Sequence, residues 1–534
     1  MTTGTVAPHR ARLTPERESF WRLVRAEWTK FRTVRGWVIA VLLTIVAITA
    51  FVFVASDVSS SCAGSGGPSA CPVQPTGPGG VPVIDAFYFA HQPVTGNGTI
   101  TVQLTSLTGQ AVVGQAGNGA PRLAPGLQPW SKAGIIIKEN TSQGSVYAAM
   151  MATGSHGVRM QWDYVNDTPG PGKGAGEAGG ASSSASAPRW LRLVRDGNTV
   201  TGYDSADGSH WTLVAAATLP GLTSTVQAGL FAAGSYYDSN SCTYDSSFCT
   251  RATGVFRHIG LSWPATGWTG TNVGGPNFGV PAPGTLRQRA GTLTVASFGD
   301  IGPAVGSAYG GTGLSLQRAL AGTFFGMIPL IVVAAMFITA EYRRKLIWVS
   351  LTAAPRRGRL LAAKAVAIGA VGFVAGLAAA TLAIAVGLPL LRRAGPLAWP
   401  VSLLTEARMV VGTGALLAVA AVLALAIGTI VRRSAPAVAI VIVVIVVPYL
   451  LAFHPGSQAQ GSGPGGGGGW PLQITPAAAL SVQQAVPQFH QLIATYSLDN
   501  GYYPLAPWAG LAVECAWAAA ALAVAYFLLR RRDA

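Results

Sequence analysis

The sequence has no complete phosphate-binding loop. Its nearest candidate is GPGKG at 170–174, which lacks both the required glycine spacing and the Ser or Thr that follows the lysine. The sequence therefore excludes an ATPase that acts alone. If ATP drives this protein, the ATPase must be another chain.

Acidic residues are also few, with 20 Asp and Glu against 36 Lys and Arg in 534 residues. Residues 83–264 contain just two glutamates, Glu139 and Glu177, whereas hydrolysis of a sugar bond usually needs two opposed carboxylates. Three aspartates of this segment lie in turn contexts, where Asp is favoured for backbone reasons. They are Asp196, Asp204 and Asp207. A membrane-tethered hydrolase is an alternative that would require glycan cleavage by residues 83–264.

Long apolar runs, by contrast, are plentiful. The first covers 36–55, about 260 residues rich in Gly, Ser and Thr follow it, and five more runs occupy the rest of the chain. Each run is long enough to cross a bilayer core of about 30 Å as a helix. These five runs are 319–340, 361–390, 409–431, 435–453 and 508–529. We therefore expect six transmembrane helices, the first being a retained signal-anchor helix rather than a cleaved signal peptide.

The basic residues are concentrated on one predicted side of the membrane. If the N-terminus is cytoplasmic, four inside stretches hold 20 of the 36 basic residues but 5 of the 20 acidic ones. They are 1–35, 341–364, 432–433 and 530–534. This distribution follows the positive-inside rule, and it disfavours a nucleic-acid surface, which would gather the charge on one folded domain. We expect a multi-pass plasma-membrane protein with both termini in the cytoplasm.

Four of the five cysteines lie in the long segment after the first run, which this orientation places outside the cell. An even set in an extracytoplasmic domain predicts two disulfides with three possible connectivities. Short loops favour Cys62–Cys71 and Cys242–Cys249. A zinc site is not expected, because the CxxC-like spacing and the neighbouring His are missing.

The long outer segment has the pattern of an all-β domain. Apolar residues alternate with Thr and Gln at 100–104, and further β-rich runs occur at 134–138, 145–151, 158–164 and 190–194. Many short strands separated by turns predict a two-sheet sandwich of jelly-roll type. We assign 57–265 to this domain and 266–316 to a Gly-rich stalk or accessory hairpin.

The remaining segments belong to the helical region, which covers 1–56 and 317–534. Residues 1–56 contain a cytoplasmic leader, an interfacial amphipathic helix and the first spanning helix, and 454–507 is an outer loop. The amphipathic helix carries an apolar stripe at helical spacing, with its basic residues largely off that stripe. The stripe is Phe20, Leu23, Val24, Trp28, Phe31 and Val34.

Two groups of polar or aromatic residues are candidate sites. Glu514 lies inside the last apolar run, near Arg408 and Glu406 at the outer end of the fourth helix, and intramembrane charge is costly and usually functional. These three form a candidate intramembrane polar site, with pairing at the outer interface as the alternative. Four tryptophans of the β domain are candidates for stacking on sugars, the alternative being that they belong to its core. They are Trp130, Trp162, Trp190 and Trp211.

The basic segment 341–364 carries a resemblance to a known family. EYRR at 341–344 and LTAAPRRGR at 351–359 resemble the first intracellular loop of actinobacterial ABC-2-type transporter permeases. RAEWTKFRTVR at 25–35 and the ending YFLLRRRDA at 526–534 are similar to the same family. The resemblance covers both ends and all six predicted helices.

The resemblance implies a permease that works with a second permease, a copy or a paralogue, and with separate soluble ATPase subunits. ATP and Mg²⁺ would then be cofactors of the partner, and this chain would hold none. The segment 341–364 would be the coupling element that touches the ATPase. The residues carried over to that role are Glu341, Arg343, Arg344, Arg356, Arg357 and Arg359.

The β domain resembles a second family, the concanavalin-A-like sandwiches of laminin-G type. The similar motifs are WSKAG at 130–134, HGVR at 156–159, WLRL at 190–193 and YDSADGSHW at 203–211. Domains of this type often bind carbohydrate, which makes glycan a candidate partner beside membrane lipid. The hypotheses are thus an ABC exporter permease or, alternatively, a membrane-anchored glycan-binding sensor or adhesion protein without transport.

Overall fold

The computed structural model describes most of the chain, with gaps between the described ranges. These ranges are 20–59, 75–115, 121–170, 188–235, 250–274, 283–305, 316–344, 346, 356–393, 399–452, 470–491, 498 and 501–531. The four cysteines of the predicted disulfides, Glu177 and residues 347–355 lie outside them.

The helical region contains eight α-helices among the described residues. They are α1 (Phe20–Thr33), α2 (Arg35–Ser59), α3 (Thr323–Arg343), α4 (Arg357–Arg393), α5 (Leu403–Val431), α6 (Ser434–Ala452), α7 (Pro471–Ile474) and α8 (Pro507–Arg531). Six helical segments are long and apolar enough to cross a membrane, and they coincide with the six predicted runs. The spans are formed by α2, α3, α4, α5, α6 and α8.

Small residues set how closely the spanning helices approach. A Cβ added to Gly376 of α4 would lie 2.7 Å from the Cα of Gly414 in α5, so both helices need glycine there. The connection from α5 to α6 consists of Arg432 and Arg433 alone. Arg432 has a φ of 60°, and its backbone N–H donates to the Gly428 carbonyl, which ends α5 in a left-handed cap.

The described residues of the β region form sixteen strands in two antiparallel sheets. The strands are β1 (Val83–Thr95), β2 (Gly98–Gln115), β3 (Pro121–Pro125), β4 (Lys132–Lys138), β5 (Tyr147–Thr153), β6 (Val158–Trp162), β7 (Asn166–Pro169), β8 (Arg189–Asp196), β9 (Thr199–Ser205), β10 (Thr212–Thr218), β11 (Thr225–Ala233), β12 (Thr250–Leu261), β13 (Thr269–Val273), β14 (Thr285–Arg289), β15 (Thr292–Ser297) and β16 (Asp300–Pro303). The first sheet has the order β13-β1-β11-β4-β5-β6-β7, with β16 also on β1, and the second has the order β10-β9-β8-β2-β12-β15-β14, with β3 on β2.

The two sheets pack face to face over a shared apolar core. Ile135 and Met150 of the first sheet and Leu191 and Phe256 of the second are completely buried in it. A second apolar cluster covers the opposite face of the first sheet and contains Phe89 and Tyr147. The first sheet is therefore buried on both faces, which explains the uninterrupted burial of β4 and β5.

The segment predicted as a stalk differs from that expectation. Its strands β13 and β16 pair with β1, while β14 and β15 form a hairpin whose second strand pairs with β12. The hairpin agrees with the accessory-hairpin alternative, but all four strands extend the two sheets. Their Gly- and Thr-rich sequences gave a weak strand signal, because strand pairing supplies what local composition does not.

Part of the predicted outer loop is helical and buried. The short helix α7 and the 3-10 helix Pro476–Gln483 lie between α6 and α8, and all eight residues of the latter are buried. A Cβ at Gly510 of α8 would lie 2.1 Å from the Ala478 carbonyl oxygen, so this segment packs directly on α8. It continues toward the β region, where the Gln491 side chain donates to the Val165 carbonyl at 3.0 Å.

Candidate functional site

A cluster of four charged side chains joins the leader helix to both ends of the basic segment 341–364. Lys364, at the start of α4, donates to Glu27 of α1 and to Glu341 near the end of α3, each at 2.7 Å. Lys30 of α1 donates to the same two carboxylates, at 2.8 Å to Glu27 and 3.2 Å to Glu341. Two lysines and two glutamates thus form a charge-balanced cluster, called the KE cluster below.

The KE cluster is buried on one side and exposed to solvent on the other. The side chain of Lys364 is 1% exposed and that of Glu27 is 3% exposed, whereas Lys30 is 44% exposed. Burial of the Lys30 ammonium opposes its charge, but hydrogen bonds and charge attraction from Glu27 and Glu341 outweigh that effect and raise the pKa of Lys30. A buried ammonium is tolerated where its hydrogen bonds are made to carboxylates.

Aromatic rings support the KE cluster from inside the bundle. The Lys364 ammonium lies 4.8 Å from the ring centroid of Phe337 in α3. The Phe337 ring contacts Phe31 of α1 and Trp37 of α2, with centroid distances of 6.1 and 5.4 Å. The leader helix is therefore fixed to α3 by both charge and ring packing.

The arginines predicted for the coupling element take three different positions. Arg343, Arg344 and Arg356 are exposed, whereas Glu341 points into the KE cluster. Arg357 donates to the Leu529 carbonyl of α8 at 2.6 Å, and Arg359 lines a groove between α4 and α8. The structure thus leaves three arginines exposed, directs Glu341 and Arg357 toward neighbouring helices, and places Arg359 on the groove.

The candidate polar site of Glu514, Arg408 and Glu406 is only partly assembled. Glu514 is 2% exposed and its Oε2 has no hydrogen-bond partner among the described residues. Arg408 donates to the Gln484 carbonyl, and no ion pair joins it to Glu514 or Glu406 within the described ranges. A pairing of Glu514 with Arg408, which the sequence suggested for this site, is therefore not seen among the described residues.

Sequence reasoning missed a polar connection beside this site. The Gln483 amide donates to the hydroxyls of Thr323 in α3 and Thr413 in α5, at 2.8 and 3.0 Å. All three side chains are buried, so the connection joins the 3-10 helix Pro476–Gln483 to two spanning helices. The glutamine has no sequence signal of its own, because its partners are far away along the chain.

The four candidate tryptophans of the β region do not form one surface. Trp130 is 6% exposed and stacks on His156 at a centroid distance of 4.0 Å, and Trp162 packs against the core between the sheets. Trp190 alternates with core residues of β8 and therefore lies on the outer face of the second sheet. Arg192 of β8 lies on the same face as Trp190, and its Cζ is 3.7 Å from the centroid of the Trp211 ring. Trp190 and Trp211 therefore share one face.

The carboxylates of the β region serve structural bonds. Asp204 pairs with Arg189, Asp196 accepts from the Asn97 amide at 2.6 Å, and Asp207 pairs with the exposed His210 at 2.6 Å. The described residues contain no group of His, Cys, Asp and Glu side chains arranged to hold a metal ion. None of these contacts opposes two carboxylates across a cleft.

Two buried ion pairs occupy the outer face of β4 in the first sheet. Lys138 pairs with Asp85 at 2.8 Å and Lys132 with Asp300 at 2.7 Å, and all four side chains are fully buried. The Tyr164 hydroxyl donates to Asp85 at 2.6 Å. Burial, and then the charge of Asp85, raise the pKa of Tyr164 well above its ordinary value, so its phenol keeps its proton.

One comparison with known proteins covers most of the chain, from strand β4 of the β region through the helices. A family model described as ABC-2 family transporter protein matches residues 136–534. No curated protein gives a significant match. Among solved structures, a functionally unknown protein from Saccharomyces cerevisiae is similar over 33% of this chain and 74% of that chain, with 16% identity and a TM-score of 0.19. A similarity at that level does not indicate a shared fold.

Proposed function

Because the chain belongs to the ABC-2 family of transporter proteins, we propose that it is the transmembrane permease subunit of an ABC exporter. A separate soluble ATPase binds ATP and Mg²⁺ and supplies the energy. A second permease, a copy of this chain or a paralogue, completes the path between the helices. The family match and the six apolar helices support this proposal.

The orientation follows from charge and from the order of elements. The N-terminal end of α2 and the C-terminal ends of α3 and α8 carry the arginine-rich stretches, while the β region follows the opposite end of α2. We place the basic end in the cytoplasm, in accordance with the positive-inside rule. The β region then lies outside the plasma membrane, where its cysteines would meet an oxidising environment.

The KE cluster is the observation that supports coupling most strongly. It ties Glu341 and Lys364, the two ends of the basic segment, to Glu27 of the leader helix through charged hydrogen bonds of 2.7 Å. A displacement of the segment by an ATPase would therefore move α1, α3 and α4 together. Charge-assisted bonds of this length are stronger than neutral ones and hold such a junction stiff.

The ATPase contact is assigned to the exposed arginines at this end. Arg343, Arg344 and Arg356 are exposed around the segment 345–355. Their guanidinium groups suit carboxylates on a partner surface, which they can bind with two parallel hydrogen bonds. Glu341 acts through the KE cluster as a positioning residue, and Arg357 holds the start of α4 against α8.

The test is whether a Walker-A protein encoded by a neighbouring gene co-purifies with this chain. We expect the charge reversal Arg343→Glu/Arg344→Glu to reduce the retained ATPase at least about tenfold, because two attractive contacts become repulsive. The matched control is Arg287→Glu/Arg289→Glu, which makes the same charge change on exposed residues of β14. A wild-type chain that retains no ATPase, or equal losses in both variants, would overturn the proposal.

The β region is assigned to an extracytoplasmic concanavalin-A-like domain. Its two antiparallel eight-stranded sheets support that fold, and Trp190 with Trp211 on one outer face is its candidate glycan surface. A glycan array probed with the full chain in detergent tests this assignment. Glycan binding together with an absence of any ATPase partner would favour the sensor or adhesion alternative.

A further inference from the structure

A basic groove runs between the start of α4 and the end of α8. The two helices are held together at this point by the bond from Arg357 to the Leu529 carbonyl. They also approach closely at Gly358, where an added Cβ would lie 2.6 Å from Cε2 of Tyr526. Beside this contact the helices leave a groove of 930 Å³, which is the size of a small-molecule site.

The mouth of the basic groove is positively charged. Four arginines line it, Arg356 just before α4, Arg357 and Arg359 in α4, and Arg530 in α8, and no acidic residue is among its described lining. The Arg530 guanidinium lies 5.3 Å from the Tyr526 ring centroid, which holds it near the mouth. The N-terminal end of the 37-residue helix α4 adds its positive dipole to the same place.

The floor of the basic groove is apolar and lies within the spanning segments. It is formed by Leu361 and Ala365 of α4 and by Leu522 and Ala523 of α8. Leu522 precedes Arg530 by eight residues, so the floor extends about 12 Å along the helix from the charged mouth. Exposed Ala523, Val524 and Phe527 continue this apolar surface on α8.

We propose that the basic groove is a binding site for an anionic phospholipid of the leaflet on the basic side. Arg359 and Arg530 take the headgroup phosphate, and the apolar floor takes the upper part of an acyl chain. Charge at the mouth and hydrocarbon below match the two ends of such a lipid. Free phosphate would use the arginines but leave the floor exposed, and an acidic protein segment cannot follow the floor to membrane depth.

The inference rests on the membrane-spanning role of the family, but not on a partner ATPase. Its test therefore uses the purified full chain alone, in a neutral detergent. Thermal unfolding is followed while phosphatidylglycerol, phosphatidylcholine or inorganic phosphate is added, and native mass spectrometry counts the lipids that stay bound. We expect phosphatidylglycerol to raise the unfolding temperature, with little effect of the other two additives.

Two variants test separately the binding of the headgroup by the arginines and the binding of the acyl chain by the apolar floor. Arg359→Gln/Arg530→Gln is expected to weaken phosphatidylglycerol binding roughly 30-fold, since each arginine near an anionic headgroup contributes about fivefold. Ala523→Trp keeps every arginine but fills the floor, so it is expected to remove bound lipid from the mass spectrum. The second variant keeps the proposal testable if the first does not fold.

The matched control is Arg343→Gln/Arg344→Gln, which removes two exposed charges from the same end of the molecule but outside the basic groove. Equal weakening in this control would show that surface charge alone attracts the lipid, and would overturn the site. Normal lipid binding by Ala523→Trp would overturn it as well. So would equal stabilisation by phosphatidylcholine or by inorganic phosphate. None of these outcomes depends on whether an ATPase binds the chain.

Discussion

The β region and the helical region both bury lysines against carboxylates, but they do so differently. In the β region, Lys132 and Lys138 are fully buried, each with one aspartate, inside a single folded layer. In the helical region, Lys364 bridges Glu27 and Glu341, which belong to two other helices, and Lys30 completes the cluster at a solvent-exposed rim.

The difference separates a charge pair that stabilises a fold from one that joins elements able to move. A fully sealed pair cannot be opened without leaving charges in a low-dielectric interior, which makes it rigid. The KE cluster has water at one side, where Lys30 can follow either carboxylate. Lys30 can therefore exchange carboxylates while Lys364 keeps α1, α3 and α4 joined, and the KE cluster is placed where a coupling element would use it.

The largest expected effect is on the sealed pairs. Asp85→Asn leaves the Lys138 ammonium buried with only the neutral acceptors Ser145 and Tyr164, and we expect a loss of roughly 3–5 kcal/mol in the free energy of unfolding. Thermal unfolding and limited proteolysis of the full chain measure the change. Asp207→Asn at the exposed His210 pair is the control and should unfold as the wild type does. If both variants unfolded alike, burial of a charge pair would not determine how much it stabilises the protein.

The next largest effect is expected in the KE cluster. Lys364→Gln leaves Glu27 and Glu341 sharing Lys30, and we expect a loss of about 2–3 kcal/mol, since two charged hydrogen bonds are removed but the rim stays hydrated. The double variant Glu27→Gln/Lys364→Gln removes one charge of each sign and should recover part of that loss. Stability of the single and double variants in one mutant cycle measures the coupling. Purely additive losses would mean that the two groups do not interact.

A smaller effect is expected from Asp163, a carboxyl of the β region that pairs with no lysine among the described residues. Burial raises the pKa of Asp163 to about 6, and its Oδ1 has no partner among the described residues. The folded protein therefore binds this proton more tightly than the unfolded chain, whose ordinary value is 3.8. The proton on Asp163 therefore stabilises the folded protein fully below about pH 4. This stabilisation is lost as the pH rises through about 6, and it is on the order of 1 kcal/mol after solvent screening.

Unfolding measured from about pH 4 to 7 in the wild type and in Asp163→Asn checks this pH dependence. Asparagine fits the backbone there, because Asp163 has a φ of 48° and Asn tolerates that conformation. The variant should lose the decline in stability through pH 6 that the wild type shows. An identical pH profile in both proteins would assign the decline to other groups.

The smallest effect on stability is expected at Glu514, the buried carboxyl of α8. Glu514→Gln keeps the shape of the side chain and replaces a carboxyl whose Oε2 makes no hydrogen bond among the described residues, so unfolding should change by less than about 0.5 kcal/mol. A fall in substrate-stimulated ATPase activity at unchanged stability would assign Glu514 to the transport path. Strong destabilisation would instead show that Glu514 has a structural partner, like the lysine-paired carboxylates.

The spanning helices were predictable because a run of about 20 apolar residues decides the structure locally. The strands of 132–138, 147–153 and 158–162 were predictable for a similar reason, since alternation and turns are local signals. The contribution of β13 and β16 was not predictable. Those short strands are defined by their pairing with β1, about 180 to 220 residues away along the chain.

Two of the four residues of the KE cluster could be identified from the sequence. Glu341 and Lys364 were identified as the two ends of the basic segment, but their partners in α1 were not, because Lys30 and Glu341 are 311 residues apart. One signal was present. Glu27 is an acidic residue within the apolar stripe of the leader helix, between Val24 and Phe31, and a charge on a buried face requires a partner.

The two-residue connection at Arg432 and Arg433 limits how α5 and α6 can separate. The three peptide links from Val431 to Ser434 reach at most roughly 11 Å, close to the distance between the axes of packed helices. Helices α5 and α6 are therefore held together at the basic end, and they can separate mainly at the opposite end. Any passage between these two helices widens toward the β region and narrows toward the arginines.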